Sequence, residues 1–304
     1  MSDFAVFITT YKGDFHLAKL ACQSVRHHCG PEVPIVLIKD GGFDSLQIEC
    51  VGNISEFDRG KAPAELRNLS GWGIPKLLAF FQKDHKRFLL LDADTALVSH
   101  PFRISTNDAE FVVDPYEERD RPADFRDWAR AGIFDLDRIS QYDRRFSLDN
   151  VVLFNSGQIY GTAGLLPLKE TLAALDQWNR QTGLFSADQG ILNYLFNKGH
   201  QEGWWNLKPD KFKIGAGYEP ESRFPGLTVS SLRAKRYNER VVIHWAGVKR
   251  HRLSELPYAF VAQEFQSQYY DRLPPHARYL DEAGRSAAYC RRKLRDFVKS
   301  ATRH

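Results

Sequence analysis

Leu89-Leu90-Leu91-Asp92-Ala93-Asp94-Thr95 puts two carboxylates two residues apart at the end of an apolar run. On an extended chain side chains two apart project to the same side, so Asp92 and Asp94 are expected to pair at the carboxyl edge of a sheet. Adjacent carboxylates repel each other unless a cation or a shared proton lies between them, and a hard divalent metal is the natural partner. Ligands of open α/β sheets bind at that edge.

The elements that must hold this pair are legible around it. Phe4 to Thr10 is a β-rich run, and Asp14 opens a stretch whose apolar residues Phe15, Ala18, Cys22 and Val25 recur at helical spacing. Pro34 to Ile38 predicts a second buried strand, closed by Lys39-Asp40-Gly41-Gly42. Gly73 to His85 predicts a helix with Pro75 in its first turn, and Phe88 to Leu91 a short apolar strand. Further strands are expected at 111–113 and 151–154, helices over 169–181 and 187–197, and a last strand at Val241-Val242-Ile243, running into His244. Strands apolar on both faces and alternating with helices predict a mostly parallel sheet covered on two sides, an α/β fold.

Composition bounds the rest. With 304 residues, 43% apolar and 26% charged, the chain is an ordinary globular protein able to bury a large core. No run approaches the ~18–20 apolar residues of a bilayer span, and Met1-Ser2-Asp3 lacks the pattern of a signal peptide, which predicts a cytoplasmic protein. Cys22, Cys29, Cys50 and Cys290 show no metal spacing and are expected to be free, buried thiols. Of the net charge of +4, residues 285–304 contribute seven basic side chains against Asp296 alone, so the body is slightly acidic. A body of that charge disfavours nucleic acid as a partner. In the tail Ala287, Cys290, Leu294, Phe297, Val298 and Ala301 recur at helical spacing, with Arg291, Arg292, Arg295 and Lys299 flanking them. Such a basic amphipathic helix suits peripheral contact with an anionic membrane, or packing on the body.

Two enzyme classes share the strand-Asp-x-Asp signal. Haloacid dehalogenase-like phosphatases carry Asp-x-Asp-x-Thr, which Asp92-Ala93-Asp94-Thr95 matches, but no second acidic pair follows another strand here. The other class accounts for more of the chain. Gly73-Ile74-Pro75-Lys76-Leu77-Leu78 precedes the aspartates. Phe154-Asn155-Ser156-Gly157, Ala187-Asp188-Gln189-Gly190-Ile191-Leu192-Asn193 and Ile243-His244-Trp245-Ala246-Gly247-Val248-Lys249-Arg250 follow them. In kind, order and spacing these motifs resemble glycosyltransferase family eight, the glycogenin and bacterial galactosyltransferase group with a GT-A fold, over about residues 4–250.

The resemblance implies a retaining transferase that uses a UDP-sugar, most simply a UDP-hexose. Asp92, Asp94 and His244 would be metal ligands, and a mixed carboxylate and imidazole set suits Mn²⁺ better than Mg²⁺. The cation would bridge the donor diphosphate and stabilise it as it leaves. Lys76, Lys249 and Arg250 would pair with that diphosphate, Ala93 lies between the metal ligands, and Gly247 would let backbone approach the phosphate. The family has a lysine where this chain has Arg250, with Lys249 just before it. Asp188 and Gln189 would face the donor sugar near the anomeric carbon, with Asn155 also touching it, although Asp188 at a helix start could instead cap that helix. Thr9, Thr10, Tyr11 and Asp40 would seat uracil and ribose.

The expectation is therefore a GT-A catalytic domain over 1–255, a mostly parallel central sheet flanked by helices, followed by a helical basic extension over 256–304. The acceptor would be a glycan or lipid-linked glycan, bound by residues 114–150 and 200–238, where Trp128, Trp204, Trp205 and Tyr218 could stack on sugar faces. A non-catalytic sugar-nucleotide or membrane-binding module is the alternative outside enzymes. No oligomeric state is legible.

Overall fold

The computed structural model describes residues 3–44, 47–106, 108–116, 125–247 and 252–301. The chain opens with β1 (Phe4–Tyr11), α1 (Phe15–Cys29), β2 (Ile35–Asp40) and β3 (Ile54–Glu56). Then come α2 (Leu78–Phe81), β4 (Arg87–Asp92), β5 (Thr95–Leu97), β6 (Phe111–Pro115), α3 (Phe125–Gly132) and α4 (Leu136–Tyr142). They are followed by β7 (Phe154–Thr162), α5 (Leu168–Asn179), α6 (Ala187–Gln201), β8 (Leu207–Pro209) and β9 (Lys213–Gly215). The chain continues through α7 (Val229–Arg233), β10 (Val242–His244), α8 (Ala259–Tyr270) and α9 (Pro275–Ala301).

Seven strands form the main sheet in the order β3-β2-β1-β4-β7-β6-β8, and only β7 runs against its neighbours. Alternation along β1 splits the core in two. Val6 and Ile8 meet Ala18, Cys22 and Val25 of α1 on one face, while Ala5 and Phe7 join the cluster holding Phe80, Leu195 and Phe196 on the other. Both faces are covered, so the strands are apolar throughout, and each fully buried Leu, Ile or Phe contributes ~1.5–3 kcal/mol.

A second sheet, β5-β10-β9, stands beside the first. Its Ala96, Ile214 and Ile243 pack with Leu17 and Leu20 of α1 and with Val261 and Phe265 of α8. The helix α8, whose Tyr269 and Tyr270 reach the first core, thus closes the same face as α1. The helix α9 meets the body through the buried pair of Lys19 and Asp281. Among the described residues no helix is long and apolar enough to cross a membrane. All four cysteines are free, but only Cys22 is buried and Cys290 is exposed, which corrects the expectation that all are buried.

Two predicted elements differ. The helix expected over Gly73 to His85 is a 3₁₀ turn, Ile74–Leu77, running into the single turn of α2. It stops because Gln82 turns extended and its Oε1 accepts the backbone N–H of Asp84 and His85. The strand expected from 151 begins at Phe154, because Asn197 takes both backbone groups of Val152 with its side-chain amide. One helical turn earlier Asn193 does the same for Phe154.

Candidate active site

The carboxyl ends of β1 and β4 lie side by side, with Thr9 paired to Asp92. The backbone N–H of Ala93 donates to Thr9 O at 3.0 Å, which holds the Asp92-Ala93-Asp94 turn against β1. β5 starts directly after Asp94 and pairs antiparallel with β10, so that Thr95 stands opposite His244. The backbone N–H of Trp245 donates to Asp94 O at 2.9 Å and fixes the same junction.

This register brings Asp92, Asp94 and His244 together, with one ligand atom from each within 4.8 Å of the others. Two donors on one cation lie no more than ~4.2 Å apart when each bond is ~2.1 Å, so small side-chain shifts suffice to seat an ion here. Asp94 and His244 are buried, and His244 Nε2 lies 3.4 Å from Asp94 Oδ1. Two carboxylates and one imidazole are hard and borderline donors that fit a divalent cation such as Mn²⁺. Gly157, near the start of β7, completes the cradle. A methyl group there would meet His244 Cε1 at 2.4 Å, Asp92 Oδ2 at 2.9 Å and Asn155 Oδ1 at 2.9 Å.

Lys76, expected to pair with the donor diphosphate, lines the larger cavity and is held between two carboxylates. It is 2% exposed, and its Nζ lies 2.8 Å from Asp92 Oδ1 and 2.7 Å from Asp188 Oδ2. Burial by itself would push the ammonium down, but the Asp188 and Asp92 carboxylates together hold it above its ordinary range. Ser156 Oγ donates to Asp188 Oδ2 at 2.6 Å. Lys76 therefore ties a metal-ligand candidate to the aspartate expected to meet the sugar. Asp188 is not a helix cap, since Ser186 is the N-cap of α6 and Asp188 Oδ2 is engaged by Lys76 and Ser156. Just before it Ala187 has φ +48, a left-handed value that an L-residue adopts at a cost of ~1–3 kcal/mol and that recurs at functional sites.

Asn155 donates from Nδ2 to Gln189 Oε1 at 3.3 Å and to Tyr116 Oη at 3.2 Å. Gln189 in turn donates from Nε2 to Gly132 O at 2.7 Å.

Two cavities flank the triad. One, of about 600 Å³, is lined by Thr9, Thr10, Tyr11, Asp40, Trp72, Lys76, Asp92 and Asp188, gathering expected donor residues from five segments. Tyr11 is 45% exposed and its ring lies over Gly13, where a methyl would meet Cε2 at 2.3 Å. Thr10 Oγ1 donates to Asp14 Oδ1 at 2.8 Å, and Asp40 accepts the backbone N–H of Gly71 at 2.9 Å. The buried Thr9 hydroxyl makes no hydrogen bond among the described residues. The other cavity, of about 440 Å³, is lined by Tyr116, Trp128, Asn155, Lys213, Tyr218 and His244.

Gly247 has φ +78, which favours glycine, whereas Lys249 and Arg250 lie outside the described residues. Of the four aromatics expected to meet an acceptor, Trp128 and Tyr218 line the second cavity. Trp205 does not, because its ring is buried over Gly199 against Phe111 and its Nε1 donates to Phe196 O. Trp204 is half exposed outside both cavities. Tyr116, Trp72 and Lys213 also line these cavities and were not among the residues expected from the sequence. The run Gly71-Trp72-Gly73, with a large aromatic between two glycines, was the one available signal for Trp72.

The sequence pattern of the nucleotide-diphospho-sugar transferases matches residues 68–270. No curated protein matches the sequence. Among solved structures the fold is similar to WbbM, a bifunctional glycosyltransferase, at 13% identity and a TM-score of 0.58, covering 89% of this chain and 52% of that one. It is also similar to the galactosyltransferase LgtC in complex with donor and acceptor sugar analogues, at 17% identity and a TM-score of 0.53, covering 90% of this chain and 99% of that one. GlyE of Streptococcus pneumoniae TIGR4, a glycosyltransferase, matches at 14% identity and a TM-score of 0.53, covering 95% of this chain and 64% of that one. These are GT-A folds, and the mostly parallel sheet flanked by helices is the architecture expected from the sequence.

Proposed function

The chain belongs to the nucleotide-diphospho-sugar transferase family and is a glycosyltransferase, and from that premise we propose that it is a family-eight enzyme, moving a hexose from a UDP-sugar to a hydroxyl acceptor with retention at the anomeric carbon. The observation that carries this proposal is the position of Asp92, Asp94 and His244 at the junction of two cavities, one lined by the donor-side residues and one by aromatics. Family membership removes the phosphatase and non-catalytic alternatives.

In this proposal the donor lies in the larger cavity, with its base against Tyr11 and its ribose near Asp40 and the Thr9 hydroxyl, which has a hydrogen bond to give. Asp92, Asp94 and His244 would hold Mn²⁺, and a bound cation neutralises the charge on a departing diphosphate. Lys76 holds Asp188 by an ion pair, while Ser156 restricts its rotation, so the carboxylate is oriented before the sugar arrives. Asp188 and Gln189 face the sugar, and Asn155 reaches from Gln189 to Tyr116 and so links the donor side to the acceptor side. Retention places the accepting hydroxyl on the face the leaving group vacates, which requires an acceptor beside the metal triad. The smaller cavity lies there. The division into a catalytic region over 1–255 and a basic extension belongs to the same proposal, with α9 as a peripheral contact for an anionic membrane that would carry a lipid-linked acceptor.

The test is a thermal-shift titration of nucleotides with and without Mn²⁺, followed by hydrolysis of UDP-sugars. A ligand that binds only the native state raises its apparent stability. Stabilisation by UDP that requires Mn²⁺, with slow release of sugar to water as the same anomer, is expected. Absence of any metal-dependent nucleotide effect would end the proposal.

A further inference from the structure

The smaller cavity contains a cation that no step above uses. Lys213 opens β9, and its side chain is 4% exposed, yet it lines the cavity beside Asn155 and His244. Its Nζ lies over the rings of Tyr116 and Tyr218, at 5.5 and 5.8 Å from their centroids. The nearest carboxylate oxygen, Asp114 Oδ1, is 3.7 Å away, beyond hydrogen-bond distance. None of the three ammonium N–H donors meets an acceptor among the described residues.

Asp114 faces this ammonium with Oδ1, which makes no hydrogen bond, and compensates the charge only in part, as an ion pair at 3.7 Å. It is fully buried, and its Oδ2 is taken by the backbone N–H of Phe212 at 2.9 Å and of Lys213 at 2.7 Å. Burial pushes its carboxyl above the ordinary range, against the pull of Lys213 and Lys211. The two tyrosine rings flank the ammonium and offer it only π-faces, which leaves its donors aimed into the cavity. An almost fully buried ammonium with unused donors costs free energy until an acceptor reaches it, and an anion satisfies it better than a neutral hydroxyl. A lysine is also suited to this as a point charge that reads charge and not planar shape.

The β ladder places this cation in relation to the chemistry. Gly215 pairs with His244, and Lys213 pairs with Val242 two residues back on the same face, about 6.6 Å along the strand. Gly215 carries no side chain, and the Tyr218 ring fills that space, with its Cζ 2.0 Å from where a Cβ would sit. A sugar entering the cavity therefore meets Tyr218 and Trp128 as walls, with His244 of the metal triad and the Lys213 ammonium both on its lining. Trp128 is itself held edge-on to Tyr116 at 4.8 Å.

Given the transferase assignment, we propose that the acceptor is an acidic glycoside, whose carboxylate or phosphate is bound by Lys213 while its sugar ring lies against Tyr218 and Trp128. The anionic group belongs to the sugar that accepts the hexose or to its immediate neighbour. Lys213 thereby determines acceptor specificity without touching the donor.

The experiment uses the full chain with Mn²⁺ and saturating UDP, titrated calorimetrically with methyl glycosides of glucose and galactose in three forms. These are the neutral sugar, the 6-carboxylate and the 6-phosphate. At least one charged form is expected to bind about tenfold or more tighter than its neutral parent, with the advantage shrinking as salt rises, and the two charged arms identify which anion is read. Lys213→Met should erase the preference and Lys213→Arg should keep it. Equal or undetectable binding of charged and neutral forms by the wild-type chain overturns the proposal, whether or not the methionine variant folds. So does a preference that survives in Lys213→Met, or a loss of UDP affinity in that variant, which would put the ammonium on the donor diphosphate. Failure of the wild-type chain to take up UDP with Mn²⁺ is a separate result that strikes the transferase assignment itself. The glycoside preference can still be measured without UDP.

Discussion

Gly157 and His244 are in contact across the site, so closely that a Cβ on the glycine would meet the imidazole Cε1 at 2.4 Å. The same Cβ would press on Asp92 Oδ2 at 2.9 Å, so a single methyl displaces two of the three candidate metal ligands. Gly157→Ala is expected to lower Mn²⁺ affinity by roughly 10–100-fold, the range seen when groups supporting a metal ligand are disturbed. Calorimetric Mn²⁺ titration in the presence of UDP checks this. Unchanged affinity would mean that the imidazole is not a ligand.

Asp94→Asn tests the triad directly. Asp94 is 1% exposed and not at an open strand edge as its place in the sequence implied, so the isosteric amide is preferred to alanine. Metal-dependent UDP binding should fall by more than the ~10–100-fold of a supporting residue, with the far-ultraviolet circular dichroism retained. Full Mn²⁺-dependent UDP binding by this variant would remove the metal assignment.

Asp188→Asn separates sugar chemistry from nucleotide binding. Asp188 is held by Lys76 and Ser156, and in the proposed arrangement it meets the sugar and not the nucleotide, so UDP affinity should stay within a few fold while sugar transfer and donor hydrolysis lose roughly a hundredfold or more. The variant also leaves Lys76 with one carboxylate, so a lower melting temperature is expected in the absence of ligand. A loss of UDP affinity equal to the loss of turnover would show that Asp188 serves the nucleotide.

Much of this geometry can be traced to the sequence, and its gaps have physical causes. Asp92 and Asp94 were readable because an apolar strand ends on them and the period of two fixes their direction. That His244 joins them depends on β5 pairing with β10, a contact between three-residue strands far apart in sequence that no local pattern encodes. The start of β7 is not legible at 151–154 because Asn193 and Asn197, one helical turn apart on α6, supply the hydrogen bonds that another strand would supply to residues 152–154. Lys76 was legible as a site residue through the motif around it, but its burial between Asp92 and Asp188 depends on contacts far apart in sequence.

The basic tail makes a prediction of its own. Lys19 and Asp281 anchor the start of α9 to the body, and the basic residues lie further along. With vesicles containing anionic lipid the full chain should sediment at low salt and be released as salt rises, each basic residue near the surface contributing ~1 kcal/mol. A chain ending at Gly284 should stay in the supernatant. Equal, salt-insensitive recovery of both chains in the supernatant would leave the packing alternative for this helix.

His28 is expected to set the acid limit of the fold. Its ring is buried in α1 beside His27 and 6.2 Å from Phe265, and burial first, with the charges of His27, Lys235 and His100 added, lowers its pKa from 6.5 to about 3. Between those two values the unfolded chain binds the proton and the folded chain does not, so stability is lost as the pH falls from 6.5 toward 3. At pH 4.5 the loss should be about 3 kcal/mol relative to pH 7, before the carboxylates that are stabilised in their charged form begin to protonate fully. Asp143, which accepts hydrogen bonds from Tyr194 and Lys198, and Glu264, paired with Arg233, add their losses at lower pH, because their folded pKa values are depressed. His28→Leu fills the same apolar site with a group that does not titrate. Urea unfolding of both proteins at pH 7 and pH 4.5 should show most of the difference between the two pH values disappearing in the variant. A variant that loses as much stability on acidification as the wild-type chain would show that other groups set the acid limit.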